Sequence, residues 1–220
     1  MTHAVILAGG KGTRMAPITA PKCLMPVRGL PILYRIIKHL KAEGVDTITV
    51  AVGYKAEDVI SAITSWGIPN VETSDAGEEA APCKRVLSAT SSSVGSGPVL
   101  VCYGDELADV HVDHLNQYHS VHKAAATITE WPHQLDFGLI KSNPSKDLVS
   151  IKERAEVPVN IGFMVLSRES LGFMKPNENL VQFVNGLVHR GLLVKVFRHE
   201  GKRATVNAPQ EVGRAEEVWK

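Results

Sequence analysis

The chain has 220 residues, of which 44% are hydrophobic and 21% are charged, as in an ordinary globular protein. This length predicts one large α/β domain, or one domain with a small appendage. The formal net charge of +1 gives no overall field that would attract nucleic acid or an anionic membrane. No apolar stretch approaches the roughly 20 residues that a membrane-spanning helix needs. We therefore expect a cytoplasmic protein without a nucleic-acid or membrane partner.

The first half of the chain alternates strand and helix patterns. The apolar run Ala4–Ala8, closed by two glycines, is typical of a buried parallel strand. Pro31–Ala42 has apolar residues at helical spacing, with proline near its start and Gly44 just beyond its end. The other predicted elements of this half are strands at Thr47–Val52, from Val71, and at Pro98–Cys102, helices at Ala56–Trp66 and Pro82–Thr90, and a polar turn over Ser91–Gly97.

The middle of the chain is richer in short strand patterns. The predicted elements are a helix at Val112–Val121 and strands at Ala124–Glu130, Gly138–Lys141, Val149–Lys152 and Ile161–Leu166. Taken with the first half, this alternation predicts an α/β fold. Its sheet should be Rossmann-like, mixed and mostly parallel, with helices on both faces.

The glycine-rich segment Leu7-Ala8-Gly9-Gly10-Lys11-Gly12-Thr13-Arg14 follows the first strand. It lies at the carboxyl end, where open α/β sheets bind ligands. Its glycines let backbone N–H groups approach phosphate oxygens, and Lys11 and Arg14 add positive charge. The spacing is neither GxxxxGK nor GxGxxG. On its own the segment is equally consistent with a structural turn.

The residues that follow this segment carry a resemblance. Pro17, Pro21-Lys22, Met25-Pro26-Val27 and Pro31-Ile32-Leu33 come at close spacing, so Gly9–Leu33 resembles the sugar-phosphate nucleotidyltransferase family. The N-terminus of that family reads GGxGTRLxPxTxxxPKPMxPVxxxPIL. The resemblance implies that the Gly9–Arg14 loop binds the NTP phosphates and that Leu7 and Ala8 also contact the nucleotide. It further implies that Arg14 stabilises the leaving pyrophosphate and that Lys22 contacts the reacting phosphates.

Cys23 departs from this pattern, because the family usually has proline there. We interpret Cys23 as a residue that shapes the loop and not as a nucleophile. The three cysteines form no CxxC pair, and we expect all of them to be reduced and structural.

An acidic motif follows the second strong apolar strand. Tyr103 to Val110 (YGDELADV) resembles the YGDGxADV segment of glucose-1-phosphate cytidylyltransferases. The resemblance implies that Tyr103 and Gly104 border the nucleotide and that Asp105 binds Mg²⁺ or Mn²⁺. Such a cation would offset the charge of two phosphate-bearing substrates. The neighbouring Glu106 is expected to face solvent.

A second metal ligand is expected near the C-terminus, where the family has an acidic residue. The best counterpart is Asn207, which ends the run Ala204-Thr205-Val206-Asn207. Since an amide oxygen is neutral, it is a weaker ligand for a hard cation than a carboxylate.

The segment from Glu72 to Val86 loosely resembles the base-binding region of the cytidylyltransferases, which ends in a KRV-like run. The resemblance implies that Arg85 binds the nucleotide. Ala80-Ala81-Pro82 stands where that subfamily usually has glycines, so the choice of base stays open.

The residues that the resemblance implies for acceptor binding lie in the second half. Gly138 belongs to a (Y/F)G-x-(I/V) strand near the sugar. Glu153 would accept hydrogen bonds from sugar hydroxyls, Arg154 would hold the acceptor phosphate, and Asn160 would contact the sugar. Taken alone, the run Lys152-Glu153-Arg154 is more typical of a solvated surface.

The resemblance therefore predicts one nucleotidyltransferase domain over residues 1–220, with a nucleotide-binding half (1–110) and an acceptor-binding half (111–220). The acceptor phosphate would attack the α-phosphorus of the NTP, with CTP favoured, and release pyrophosphate. Three alternatives stay open: a guanylyl- or thymidylyltransferase, transfer to a non-sugar phosphate, and a non-catalytic nucleotide-binding regulatory subunit. A homo-oligomer also stays open.

Overall fold

The computed structural model describes residues 2–12, 20–91 and 97–219. In chain order its elements are β1 (His3–Leu7), β2 (Pro26–Val27), β3 (Leu30–Pro31), α1 (Ile32–Ala42), β4 (Thr47–Val52), α2 (Ala56–Trp66), β5 (Val71–Asp75), α3 (Pro82–Ser91), β6 (Val99–Tyr103), β7 (Glu106–Ala108), α4 (Val112–His122), β8 (Ala126–Gln134), β9 (Leu139–Ser142), β10 (Leu148–Lys152), β11 (Glu156–Leu166), α5 (Arg168–Leu171), α6 (Leu180–His189), β12 (Val194–Arg198), β13 (Arg203–Thr205) and α7 (Glu211–Val218). A 3-10 helix spans Lys22–Leu24. None of the helices in the described ranges is long and apolar enough to cross a membrane.

A seven-stranded sheet forms the centre, with the strand order β12-β8-β11-β6-β1-β4-β5. The pairs β1–β4, β1–β6, β4–β5 and β8–β12 are parallel. Only β11 runs against its neighbours in this sheet, and it pairs antiparallel with both β6 and β8. The sheet is therefore mixed and mostly parallel, as the sequence predicted.

Helices cover both faces of the sheet, and the alternation of β1 side chains shows why. Ala4 and Ile6 pack into a core with residues of α1, α2, α4 and α7. Val5 points to the other face and packs with residues of α3 and α6. Strand side chains alternate between faces, so one buried strand contributes to two cores. The predicted helices on both faces are confirmed.

The first helix shows how the sequence pattern becomes packing. Five apolar residues of α1 are at most 2% exposed: Ile32, Leu33, Ile36, Ile37 and Leu40. Their spacing places them on one stripe of a helix. Burial of each such side chain contributes about 1.5–3 kcal/mol relative to exposure, so this stripe fixes α1 against the sheet.

Three small sheets complete the described structure: β2–β3, β7–β13 and β9–β10. The β7–β13 pair joins the middle of the chain to its C-terminal region. The β9–β10 hairpin is exposed along its whole length. Its large apolar side chains include Ile140, Leu148 and Ile151, each more than half exposed.

Most predicted elements agree with the structure to within two residues. The largest differences are at β8, which continues to Gln134, and at β11, which begins at Glu156 and not at Ile161. The polar turn predicted over Ser91–Gly97 lies mostly outside the described residues. The elements after Leu166 had no prediction from the sequence.

Candidate active site

A cavity of about 710 Å³ opens at the carboxyl ends of β1 and β6. These strands are parallel neighbours, with Leu7 opposite Tyr103, so the loops that follow them share one edge of the sheet. The cavity is lined by Leu7, Ala8, Gly9, Gly10, Lys11, Gly12, Lys22, Cys23, Glu78, Glu79, Ala80, Pro82, Arg85, Tyr103, Gly104, Asp105, Glu106, Asn160, Arg203, Thr205 and Asn207. This is the position at which open α/β sheets bind ligands.

The glycine-rich segment forms one wall of the cavity. Backbone hydrogen bonds extend β1 into it: Ala8 N–H donates to the Ala51 carbonyl at 2.9 Å, and Tyr54 N–H donates to the Gly9 carbonyl at 3.0 Å. A Cβ at Gly10 would meet no atom within 4 Å. The open space above Gly10 leaves the backbone accessible to an anion. The predicted residues Thr13 and Arg14 lie outside the described residues.

Lys11 crosses to the facing wall. Its Nζ lies 2.6 Å from Glu79 Oε1 and 3.3 Å from Glu78 Oε1. Hydrogen bonding to Glu79 raises the pKa of Lys11, and Lys11 in turn lowers the pKa of Glu79. Because these side chains are largely exposed, water and salt screen the pair. Lys11 therefore links the glycine-rich segment to Glu78 and Glu79 through a solvent-screened ion pair.

Lys22, Asp105 and Asn207 meet at the floor of the cavity. The Lys22 ammonium donates to Asp105 Oδ2, and it donates to Asn207 Oδ1 at 2.6 Å. The Lys22 side chain is 11% exposed and that of Asp105 is 29% exposed. The group therefore holds one positive charge, one negative charge and one neutral amide. The structure thus brings together three residues that the sequence placed in one reacting centre.

The β7–β13 pair explains how Asp105 and Asn207 meet. Asp105 immediately precedes β7, and Asn207 follows β13 by two residues. The pair has Glu106 opposite Thr205, and Val206 N–H donates to the Asp105 carbonyl at 3.1 Å. The antiparallel register therefore presents both side chains at the same edge.

The expectation that Glu106 faces solvent is wrong. Glu106 is only 4% exposed. Its carboxylate accepts hydrogen bonds from Arg203 Nε at 2.5 Å and from Thr205 Oγ1 at 2.6 Å. Burial raises the pKa of Glu106, and Arg203 opposes that shift. A buried carboxylate needs such partners, and here they fasten β7 to β13 beneath Asp105.

Arg85 lies against the glycine-rich segment at Gly9 and is only 5% exposed. Its guanidinium donates to three backbone carbonyls, those of Val52, Glu78 and Ala80. Burial lowers the pKa of Arg85. The side chain borders the cavity, but three of its N–H donors are directed at the backbone, and its predicted binding of the nucleotide stays a prediction.

Two glycines, Gly104 and Gly162, allow close packing in the cavity wall around Tyr103. Gly104 N–H donates to the Leu7 carbonyl at 2.9 Å, and a Cβ at Gly104 would lie 2.8 Å from that oxygen. Gly162 has a φ of +73°, and its Cβ would lie 2.7 Å from Cε2 of Tyr103. The tyrosine ring therefore packs where β11 makes an irregular turn.

Asn160 lies at that turn and lines the cavity. Its Oδ1 accepts a hydrogen bond from Gly162 N–H at 2.9 Å, which leaves the amide nitrogen as its remaining donor group. The β8–β11 register shifts between Asn160 and Met164. The bulge turns the Asn160 side chain toward the cavity.

The other predicted acceptor residues lie outside the lining of this cavity. Gly138 and Glu153 flank the β9–β10 hairpin, and a Cβ at Gly138 would lie 3.2 Å from Glu153 Oε1. Arg154 follows with a φ of +46°. Of the four predicted acceptor residues, the structure thus brings only Asn160 to the cavity.

Cys23 lines the cavity but is 4% exposed. Desolvation raises the pKa of its thiol to about 12, so the nucleophilic thiolate is suppressed. The Cys23 Sγ lies 3.9 Å from the Ala8 carbonyl oxygen. All three cysteines are free and buried, as expected, and Cys23 packs against the glycine-rich segment at Ala8.

The sequence assigned no binding or catalytic role to eight residues of the cavity wall: Cys23, Glu78, Glu79, Ala80, Pro82, Glu106, Arg203 and Thr205. Polar residues stand at the alternate positions 203, 205 and 207. Alternate residues of a strand share one face, so this pattern could have indicated that Arg203 and Thr205 lie on the same side as Asn207.

Glu43, His111 and Asp113 form a separate group whose ligand atoms lie within 4.8 Å of one another. Val112 N–H donates to Glu43 Oε2 at 3.0 Å. Glu43 therefore caps the start of α4, and this structural role accounts for the group.

The sequence and the fold are both similar to those of known proteins. The family model for the MobA-like NTP transferase domain matches residues 4–169. The chain is 29% identical to the "Probable glucose-1-phosphate cytidylyltransferase" of Bacillus subtilis, over 98% of this chain and 95% of that protein.

A second relative comes from Sulfolobus acidocaldarius and bears the name of a mannose-1-phosphate guanyltransferase. It is 28% identical over 96% of this chain and 61% of its own length. Among solved structures, the crystal structure of HddC from Yersinia pseudotuberculosis complexed with GMP-PN superposes with a TM-score of 0.78. The match is 22% identical and covers 100% of both chains, so the two share a fold.

Proposed function

The chain belongs to the MobA-like NTP transferase family, and on that premise we propose that it transfers a nucleoside monophosphate to a phosphorylated acceptor. The donor is an NTP, with CTP favoured, and the acceptor is a sugar 1-phosphate or a similar small molecule. Pyrophosphate is released. One observation carries the proposal: Lys22, Asp105 and Asn207 meet beside the glycine-rich segment in one cavity.

The proposed reaction is a direct in-line displacement. The acceptor phosphate is already ionised at neutral pH, so its oxygen attacks the α-phosphorus without a general base. The bond between the α-phosphorus and the bridging oxygen of pyrophosphate breaks, and pyrophosphate leaves with that electron pair. The protein supplies positioning and charge neutralisation. Backbone N–H groups near Gly10 hold the donor phosphates, and Lys22 balances charge at the reacting centre.

A divalent cation, Mg²⁺ or Mn²⁺, belongs to the proposal. Asp105 and Asn207 offer a carboxylate and an amide oxygen, which are the hard donors that these ions prefer. When bound, the ion would neutralise charge on the phosphates of the two substrates. The Lys22 ammonium contacts both oxygen donors and balances the charge of Asp105.

The preference for CTP is supported by the YGDELADV string and by the name of the Bacillus subtilis relative. The guanyltransferase name of the Sulfolobus acidocaldarius relative supports GTP as the second candidate. Ala80 bears on the choice between CTP and GTP, because its segment lines the same cavity as the glycine-rich segment.

We also propose that residues 1–220 act as a single domain with two functional halves. Residues 1–110 hold the nucleotide and residues 111–220 hold the acceptor. Asn160, Arg203 and Asn207 bring the second half to the cavity wall. Glu153 and Arg154 would engage the acceptor beyond that wall.

The test is pyrophosphate release with Mg²⁺, using CTP, GTP, UTP, ATP and dTTP in turn with a panel of sugar 1-phosphates and with choline and glycerol phosphates. CTP with one sugar 1-phosphate should give the highest kcat/KM. A clear preference for GTP or dTTP would replace the base assignment. Asp105→Ala serves as the matched inactive control.

The same panel tests the regulatory alternative. Nucleotide binding by calorimetry without turnover of any pair would favour a non-catalytic subunit. Turnover that disappears in Asp105→Ala would exclude that alternative.

A further inference from the structure

The Arg85 guanidinium joins the end of β4 to the Glu78–Ala80 segment, which lines the cavity. Its Nη1 donates to the Val52 carbonyl at the end of β4. Its Nε donates to the Ala80 carbonyl at 3.1 Å, and its Nη2 donates to the Glu78 carbonyl at 2.9 Å. Each of the three guanidinium nitrogens thus has a backbone acceptor. Hydrogen bonds from charged donors are among the stronger ones in proteins.

Two glycines make room for this guanidinium. A Cβ at Gly53 would lie 2.6 Å from Nη2 and 2.7 Å from Cζ of Arg85, and the three atoms nearest to it all belong to Arg85. A Cβ at Gly9 would also overlap the guanidinium, and it would lie 2.8 Å from the carbonyl carbon of Val52. Neither glycine has a positive φ. Close approach of Arg85, and not backbone conformation, therefore accounts for glycine at position 53.

Resting on the proposed function, we propose that Arg85 is a positioning residue that clamps the Glu78–Ala80 segment to the end of β4, beside Gly9 of the glycine-rich segment. It sets the distance between the phosphate side and the base side of the cavity through backbone contacts. Lys11 adds a second link, which joins the glycine-rich segment to Glu78 and Glu79. The clamp is buried, whereas the Lys11 link is exposed.

The chemistry of the side chain explains why arginine is needed. A guanidinium is a planar fork that directs donors to several acceptors at once, whereas a lysine ammonium is a single point charge. Arg85→Lys keeps the charge and loses the fork. If Arg85 is a clamp, Arg85→Lys should raise the KM for the NTP. If Arg85 acts on the nucleotide by charge alone, this variant should keep a native KM.

The experiment is a double-mutant cycle of Gly53→Ala and Arg85→Met, read by the KM for the NTP, the KM for the acceptor and the urea midpoint of unfolding. In the native background Gly53→Ala displaces the guanidinium. It should raise the KM for the NTP about tenfold or more, with little change in the KM for the acceptor. In the Arg85→Met background the same alanine should change the KM for the NTP by less than about twofold.

Gly9→Ala is the matched control. The Val52 carbonyl carbon remains near position 9 whatever stands at 85. Gly9→Ala should therefore impair nucleotide binding in both backgrounds. If Arg85→Met does not fold, Arg85→Lys replaces it in the cycle.

Two results would overturn the clamp. One is additive effects of Gly53→Ala and Arg85→Met on the KM for the NTP and on the unfolding midpoint. The other is a native KM for the NTP in Arg85→Lys. If the native protein turns over no NTP, the proposed function fails. The coupling between positions 53 and 85 in the unfolding midpoint still tests the clamp in that case.

Discussion

Replacing Asn207 by aspartate should raise the affinity of the site for Mg²⁺. The amide oxygen of Asn207 lies 2.6 Å from Lys22 Nζ, so an aspartate oxygen there would join Asp105 in facing the same point. The formal charge of the three groups would change from zero to −1. Hydrogen bonds and ion contacts to a charged acceptor exceed those to a neutral one by about 1 kcal/mol. This difference corresponds to a factor of roughly five to ten in an equilibrium constant.

We therefore expect Asn207→Asp to lower the Mg²⁺ concentration for half-maximal pyrophosphate release by about five- to tenfold. The rate is measured against Mg²⁺ at saturating NTP. Mn²⁺ binding without substrate, followed by electron paramagnetic resonance, gives a second readout. Asn177→Asp, at an exposed position, adds the same charge away from the cavity and should leave the midpoint unchanged. An unchanged midpoint and unchanged Mn²⁺ affinity in Asn207→Asp would refute the placement of Asn207 in the metal site.

Four further predictions follow from the same structure. Asp105→Ala should abolish turnover while the protein stays folded by circular dichroism; near-native rates at saturating Mg²⁺ would contradict its role. Lys22→Ala should slow transfer by about 10²-fold or more, since charge neutralisation at such centres is worth several kcal/mol; a change in the acceptor KM alone would argue against it. Gly10→Ala should leave the unfolding midpoint unchanged, because its Cβ meets no atom within 4 Å, but should weaken NTP binding in calorimetry; native affinity would place the phosphates elsewhere. Burial lowers the pKa of His119 below 6.5, so the unfolded chain takes up its proton first. The free energy of unfolding should be highest above pH 6.5 and fall at lower pH, by up to about 1.4 kcal/mol per pH unit. His119→Gln should flatten that slope in urea titrations, and an equal slope in both proteins would count against the assignment.

The fold could be predicted largely because the parallel strands are short apolar runs bounded by turn residues. β4 and α2 begin and end where the sequence placed them. The first part of β11 was missed because Glu156 to Asn160 alternate between exposed and half-buried positions and include a proline. Pairing with β8 makes those residues a strand, and that partner is distant in sequence.

The candidate site could be predicted where one segment carries the signal. Gly9 to Gly12, Lys22 and Asp105 each follow a recognisable strand or motif. The orientation of Glu106 could not be predicted, because the β7–β13 register decides which side of a three-residue strand is buried. The packing of Arg85 against Gly53 likewise depends on a contact between two separate elements.

The antiparallel pairing of β11 with β8 determines which segment of this enzyme can vary in length. β8 and β11 stay paired as far as Gln134 and Glu156, and Leu135 N–H donates to the Ala155 carbonyl at 2.9 Å. The segment between these residues, which contains the β9–β10 hairpin, therefore leaves and rejoins the fold at one point. The free energy of closing a loop grows only slowly with its length, by about 0.6 kcal/mol per doubling. Residues 136–154 thus form a cassette that can be lengthened, shortened or exchanged while the sheet and the glycine-rich segment keep their places.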